Sequence, residues 1–262
     1  MTVLLIDGLN LIRRVYAGVP EDVDDRSKKV SNACLASARR ALRRHRPSHA
    51  ILGMEVSGNS WRLQEFPDYK KNRPAMPIDL KQSLPSIEAA FSEMGIHSLA
   101  AEGFEADDAI ASIAVRTRKM HIPTVILSTD KSFCQLVGPC ITLFDHFNEK
   151  ERDIYWIIEH FGVAPEKLVD LMTLAGDPGL CIPGIRNVGV QTASRLLDKY
   201  GSVDQLLLQV ADIPGKLGEN IRQGIGNIEL TRKLVTLRQD IHLGLNLQDF
   251  RYSDSETEAV SH

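Results

Sequence analysis

Five carboxylates carry the strongest chemical signal in the chain. The segment GFEADDAIASIA supplies Glu105, Asp107 and Asp108, and Asp7 and Asp130 each follow a short apolar run. On a helix, Glu105 and Asp108 share a face, whereas the consecutive Asp107 and Asp108 diverge by ~100°. Acids in the first turn of a helix can serve only as caps that complement its dipole. That reading explains one acid well and three poorly. Crowded carboxylates repel one another unless a cation neutralises them, and hard oxygen donors suit Mg²⁺ or Mn²⁺ better than zinc. A cation held this way acidifies a bound water and steadies charge on phosphate oxygens, which is the chemistry of phosphodiester hydrolysis. No GxxxxGK[ST] loop is present, so nucleotide hydrolysis is disfavoured. No GxSxG or paired Ser/His arrangement stands out either.

Two further segments suit phosphate binding. In IPGIRNVGVQTASRLL, Gly184 and Gly189 lie in a tight loop before a helix, where glycine permits close backbone approach. Amides at the start of that helix would hold phosphate without reading sequence. The same residues also fit an ordinary connection between two helices. In DYKKNRP, Tyr69 could stack a base while Lys70 and Arg73 take phosphates, although a solvated charge run reads the same way.

These side chains need a scaffold. Apolar runs at residues 3–6, 50–54, 124–127 and 141–144 read as strands, with helices expected at 28–46, 78–94 (containing Pro85) and 106–120. This alternation predicts an α/β fold with a mainly parallel sheet over about the first 155 residues. Asp7, Glu55 and Asp130 fall just past strands, the end at which parallel sheets place their sites. Beyond 155 the strand signals fade. Helices are expected from 165 to 174, from 190 to 200 and on to about 238, with a disordered tail over 251–262.

Composition sets limits. The 262 residues, 43% hydrophobic and 25% charged, are ample for a soluble globular core. No apolar run approaches the ~18 residues of a membrane helix, and no secretory signal stands at the start. We expect a cytoplasmic monomer with no membrane partner. Cysteines at 34, 134, 140 and 181 lack metal or disulfide spacing and read as reduced thiols. The net charge of −3 speaks against a nucleic-acid binder, but residues 26–46 hold eight Lys or Arg and no acid. A near-neutral total can hide a basic surface beside an acidic pocket.

Taken in order, LLIDGLNLIRR, DYKKNR, GFEADDAIAS, STDKSFCQL and LAGDPGLCIPGIRNVGVQTA resemble the 5′-nuclease (flap endonuclease) family over about residues 2–250. The resemblance implies a PIN-like core with a helical arch over the site (about 68–90) and a helix–three-turn–helix element (about 165–200) within a helical region spanning 156–250. It implies that Asp7, Glu105, Asp107, Asp108 and Asp130 bind Mg²⁺, and that Lys70 and Arg73 contact the scissile phosphate. It also implies K⁺ on the main-chain carbonyls of Leu174, Ala175, Pro183, Ile185 and Val188, and DNA along Asn187, Val188, Gly189, Val190, Gln191 and Thr192. The expected activity is cleavage of 5′ single-stranded flaps at duplex junctions in branched DNA.

The chain departs from the family pattern in three places. Glu55 and Ser132 stand where the family usually has Asp, and GDPGLCIPG keeps Asp177 but has Leu180 at the second acid. A second metal site is therefore eroded. That leaves two rivals: a weakly active or non-catalytic branched-DNA binder, and a PIN-like ribonuclease. The ribonuclease would not need the 165–200 hairpin.

Overall fold

The computed structural model describes residues 1–56, 58 and 60–253. Its centre is a six-stranded sheet in the order β3-β2-β1-β4-β5-β6. The strands are β1 (Val3–Asp7), β2 (His49–Gly53), β3 (His97–Leu99), β4 (Thr124–Leu127), β5 (Ile141–Asp145) and β6 (Lys150–Glu151). The first five are mutually parallel, and β6 runs antiparallel at the edge. The expected mainly parallel α/β core is present. Strands β3 and β6 were not anticipated, because they are short, largely exposed and lack an apolar run.

The side-chain alternation of each strand feeds two cores. Val3 and Leu5 of β1, Ile126 of β4 and Leu143 of β5 join one apolar cluster. Leu4, Ile6, Leu127 and Phe144 join another on the opposite face. The second face is covered by α1 (Gly8–Gly18), α2 (Arg26–His45) and α4 (Ile78–Glu93). The first is covered by α5 (Ala106–Lys119) together with the C-terminal helices α6 (Ile154–Phe161), α7 (Leu168–Ala175), α8 (Val190–Tyr200), α9 (Val203–Leu208) and α10 (Gly215–Val235). Apolar contact thus runs without a break from the sheet into the helical region, past the boundary expected near 155.

Packing bears on three expected segments. Pro85 lies inside α4, yet the helix continues past it to Glu93. In the segment 68–90, Tyr69, Lys70 and Arg73 line the site cavity. The first part of the segment turns at the rim, while α4 buries Leu80, Ile87 and Phe91 against the sheet and α2. The tail does not come loose at 251, because Arg251 bridges His49 and the Tyr252 amide donates to the Ser48 carbonyl at 2.9 Å. The rest of the expected tail, 254–262, lies outside the described residues. The short helix α3 (Trp61–Glu65) was not anticipated. Among the described residues no helix is long and apolar enough to cross a membrane. All four cysteines are free thiols, two of them only half-buried.

Candidate active site

The carboxyl edge of the sheet gathers most of the expected acids. Asp7 ends β1 and caps α1, accepting from the Asn10 amide at 3.1 Å and from the Ser128 hydroxyl at 2.7 Å. Asp130, just past β4, accepts from the Ser132 amide at 2.7 Å. Asp107 lies in the first turn of α5 and accepts no hydrogen bond among the described residues. Together with Glu55, Arg13, Lys70, Arg73, Lys131 and Asp177, these acids line one cavity.

Their charges bear on one another. Burial, with Asp130 adding to it, pushes the Asp7 carboxyl up to about 7. Burial and then Asp7 and Asp130 push Asp107 well above the usual carboxylate range. Burial also raises Glu55. Ionising these hard oxygen donors together is unfavourable, and a hard divalent cation relieves that. Among the described residues no three His, Cys, Asp or Glu side chains stand close enough to hold a metal ion as they are arranged. The donor chemistry fits such an ion, and closing around one requires side-chain rotation.

Glu105 and Asp108 occupy a different environment. The buried Arg62 guanidinium donates to Asp108 Oδ2 at 2.7 Å and Oδ1 at 2.8 Å, and to Glu105 Oε2 at 2.8 Å. Trp61 Nε1 and the Arg238 amide, each at 2.9 Å, complete the bonding of Asp108, which is 0% exposed. Asp108 is therefore a buried anchor, its oxygens taken up by Arg62, Trp61 and the Arg238 amide. Burial pushes the Glu105 carboxyl up, but Lys70 and Arg62 outweigh it and hold the group below its ordinary range. Its oxygens accept from Arg62, from the Tyr69 hydroxyl at 2.9 Å and from Lys70 Nζ.

The expected DNA contacts divide in the same way. Tyr69 is 5% exposed and spends its hydroxyl on Glu105, which leaves little of the ring open to a base. Lys70 takes a left-handed backbone (φ 57°), and its amide donates to the Leu180 carbonyl at 2.9 Å. That bond fixes the main chain, and the side chain, held by Glu105, lines the cavity with Arg73.

Further along, α7 leads into a loop in which Asp177 and Ile182 form a bridge. A Cβ on Gly184 would lie 2.3 Å from the Ala175 carbonyl carbon, so only glycine lets these strands of chain cross. Of the carbonyls expected to hold K⁺, those of Leu174, Pro183 and Ile185 already accept from Ile185 N, Thr231 Oγ1 and Val188 N. Asn187, Gly189, Val190 and Gln191 are exposed, Thr192 is half-buried, and the Val188 side chain is buried in the core. No side chain caps α8, so its first amides remain available to an anion.

Sequence reasoning missed Arg62, Trp61, Arg13 and Asn10 as parts of the site, and it did not use Lys131. Lys131 Nζ pairs with the buried Asp177 at 3.0 Å inside the cavity. The STDK run was visible in the sequence, but nothing near Arg62 marked its partners 43 and 46 positions away.

The chain is similar to known proteins over nearly its whole length. Residues 2–162 match the 5′-3′ exonuclease N-terminal resolvase-like domain, and residues 163–258 match the 5′-3′ exonuclease C-terminal SAM fold. A protein of Shewanella baltica named Flap endonuclease Xni is 40% identical over 257 residues, covering 97% of this chain and 96% of its own. A Colwellia psychrerythraea protein of the same name is 37% identical over 97% of this chain and 93% of its own. Among solved structures, T5 5′-exonuclease with bound zinc superposes with a TM-score of 0.79 at 20% identity, covering 91% of this chain and 90% of that one. The catalytic core of Rad2 in complex with DNA substrate superposes at 0.60 with 13% identity, over 99% and 84% of the two chains. At these identities the two structures bear on the fold.

Proposed function

This chain belongs to the 5′-3′ exonuclease family, and from that premise we propose that it is a Mg²⁺-dependent flap endonuclease cutting 5′ single-stranded flaps at duplex junctions in DNA. The observation that carries this reading is the group of Asp7, Asp107 and Asp130 in one cavity with Lys70 and Arg73 at its wall.

Asp7, Asp107 and Asp130 would hold the divalent ion, with Glu55 beside them. When bound, the ion supplies an acidified water and positive charge for the phosphate oxygens. Arg73 and Lys70 orient the scissile phosphate. Glu105 holds the Lys70 ammonium in place, and the pair formed by Arg62 and Asp108 holds Glu105. The exposed amides from Gly189 to Thr192, with Asn187 ahead of them, would grip the duplex backbone. Such contacts read structure and not sequence. K⁺ on the main chain of Leu174, Ala175, Pro183, Ile185 and Val188 would stiffen that grip, because the crossing at Gly184 brings these segments into touch. The protein would work as a cytoplasmic monomer.

The test is cleavage of a 5′-flap duplex in excess Mg²⁺ by wild type and by Asp107→Ala. We expect cleavage near the junction by wild type alone. A second reading, a branched-DNA binder without useful catalysis, is favoured by one contact. Lys131 neutralises Asp177, and Ser132 and Leu180 line the same cavity. Tight flap binding with no cleavage by wild type would select that reading.

A further inference from the structure

On the α2 side of the sheet lies a second cavity, of about 140 Å³, lined by Ser37, Arg40, Arg44, Phe144, His146 and Glu149. Its walls are incomplete in a specific way. His146 is 5% exposed and Ser37 3%, yet neither ring nitrogen of His146 and not the Ser37 hydroxyl has a hydrogen-bond partner. Buried polar atoms without partners are costly and call for an explanation. Among the described residues Arg44 has no carboxylate partner and lies over the Phe144 ring at 4.7 Å. Arg40 has only Glu149, at 4.0 Å between two well-exposed side chains. The cavity therefore offers two guanidinium groups, a hydroxyl and an imidazole to an occupant larger than one water, whose share of liquid is about 30 Å³. This is a donor set for an anion with several oxygens.

Its position suggests which anion. His146 immediately follows β5 at the carboxyl edge, and β5 neighbours β4, whose own end leads to Asp130. The two sites are joined by hydrogen bonds, since Arg152 donates to the Thr129 carbonyl at 2.8 Å and to Asp145 at 2.9 Å. Along α1, Arg13 borders the acid cavity, while the guanidinium of Arg14 lies 5.5 Å from the centre of the exposed Phe147 ring. Cations thus extend from the acids to the second cavity, where the basic face of α2 continues them.

We propose that this cavity is a second phosphate site, taking a backbone phosphodiester of the DNA whose cleavage is assigned to the acid cluster. The inference rests on the nuclease reading above. Arg40 and Arg44 clamp the phosphate, and the Ser37 hydroxyl and His146 imidazole bond its oxygens. Glu149 swings out as the phosphate enters, which its exposed side chain and distant pairing allow.

Flap-DNA affinity measured against salt, with chelator present to prevent cleavage, tests the assignment. The Arg40→Ala/Arg44→Ala pair should weaken binding several-fold and flatten the log–log salt slope by about 1, the value for one lost phosphate contact. Arg39→Ala/Arg43→Ala removes equal charge from exposed positions of the same helix outside the cavity and should do less. Glu149→Gln should tighten binding. Equal effects from both arginine pairs would reduce the cavity to diffuse charge and overturn the site. Loss of inorganic phosphate binding by the cavity pair, with the DNA slope unchanged, would overturn the assignment to DNA. Failure of wild type to bind flap DNA would overturn this inference together with the function it rests on. Normal wild-type binding that ignores the cavity pair would overturn this inference alone.

Discussion

Arg62 and Asp108 meet through two hydrogen bonds of 2.7 and 2.8 Å, with both side chains withdrawn from water. Asp108 adjoins the residue most exposed to repulsion in the cluster, yet its charge is fully met. Removing one partner of a buried pair leaves the other charge uncompensated, at a cost of about 3–5 kcal/mol. Asp108→Ala should therefore lose stability on that scale in chemical denaturation. Asp107→Asn should lose none in metal-free protein, since it removes repulsion. Equal destabilisation by the two would contradict the division of roles.

Tyr69 separates packing from recognition in the same way. Its ring lies in a small apolar cluster with Ile182 and Leu234, and its hydroxyl holds Glu105. Tyr69→Phe should cost about 1.5–3 kcal/mol, the range for a hydrogen bond to a charged group. Tyr69→Leu, once folded, should keep flap affinity within about twofold. Loss of a stacked base would instead weaken it by ~1–3 kcal/mol.

The contrast shows what the sequence could and could not convey. The strands with long apolar runs were legible, because burial on both faces leaves an unbroken signal; β3 and β6, short and exposed, left none. Asp7 and Asp130 were legible from their place after strands. Asp108 was assigned to the metal with its neighbours, although the ~100° between consecutive helical residues already turned it away from Asp107. The Arg62 that bonds it is brought in by α3, a five-residue helix with no periodic signal of its own. Long-range ion pairs of this sort depend on tertiary packing and leave no local pattern.

Gly184 carries the helical loop. A methyl group there would meet the carbonyl carbon and oxygen of Ala175 at 2.3 and 2.4 Å and the Gly176 nitrogen at 2.5 Å, all of them backbone atoms that cannot swing aside. Gly184→Ala should force the crossing apart, lowering thermal stability and weakening duplex binding more than single-strand binding. Gly189→Ala, with nothing within 4 Å of its added carbon, is the control and should leave stability near wild type. Comparable melting of the two variants would mean that the crossing does not hold the loop.

His146 should make the folded protein sensitive to acid. Burial lowers its ring to about 4 from the ordinary 6.5, with Arg14 and Arg40 adding to the shift and Asp145 opposing it. Between those values the unfolded chain binds a proton that the folded protein refuses, so stability rises with pH across the window. The contribution is intact above about 6.5 and is lost as pH falls toward 4, with an upper bound of about 3–4 kcal/mol. His146→Gln cannot charge. Denaturation of the two proteins at pH 7.5 and 4.5 should therefore show wild type losing more stability than the variant. An equal loss would mean that the imidazole is already protonated in the fold, paired with Asp145 or with an anion in the cavity beside it.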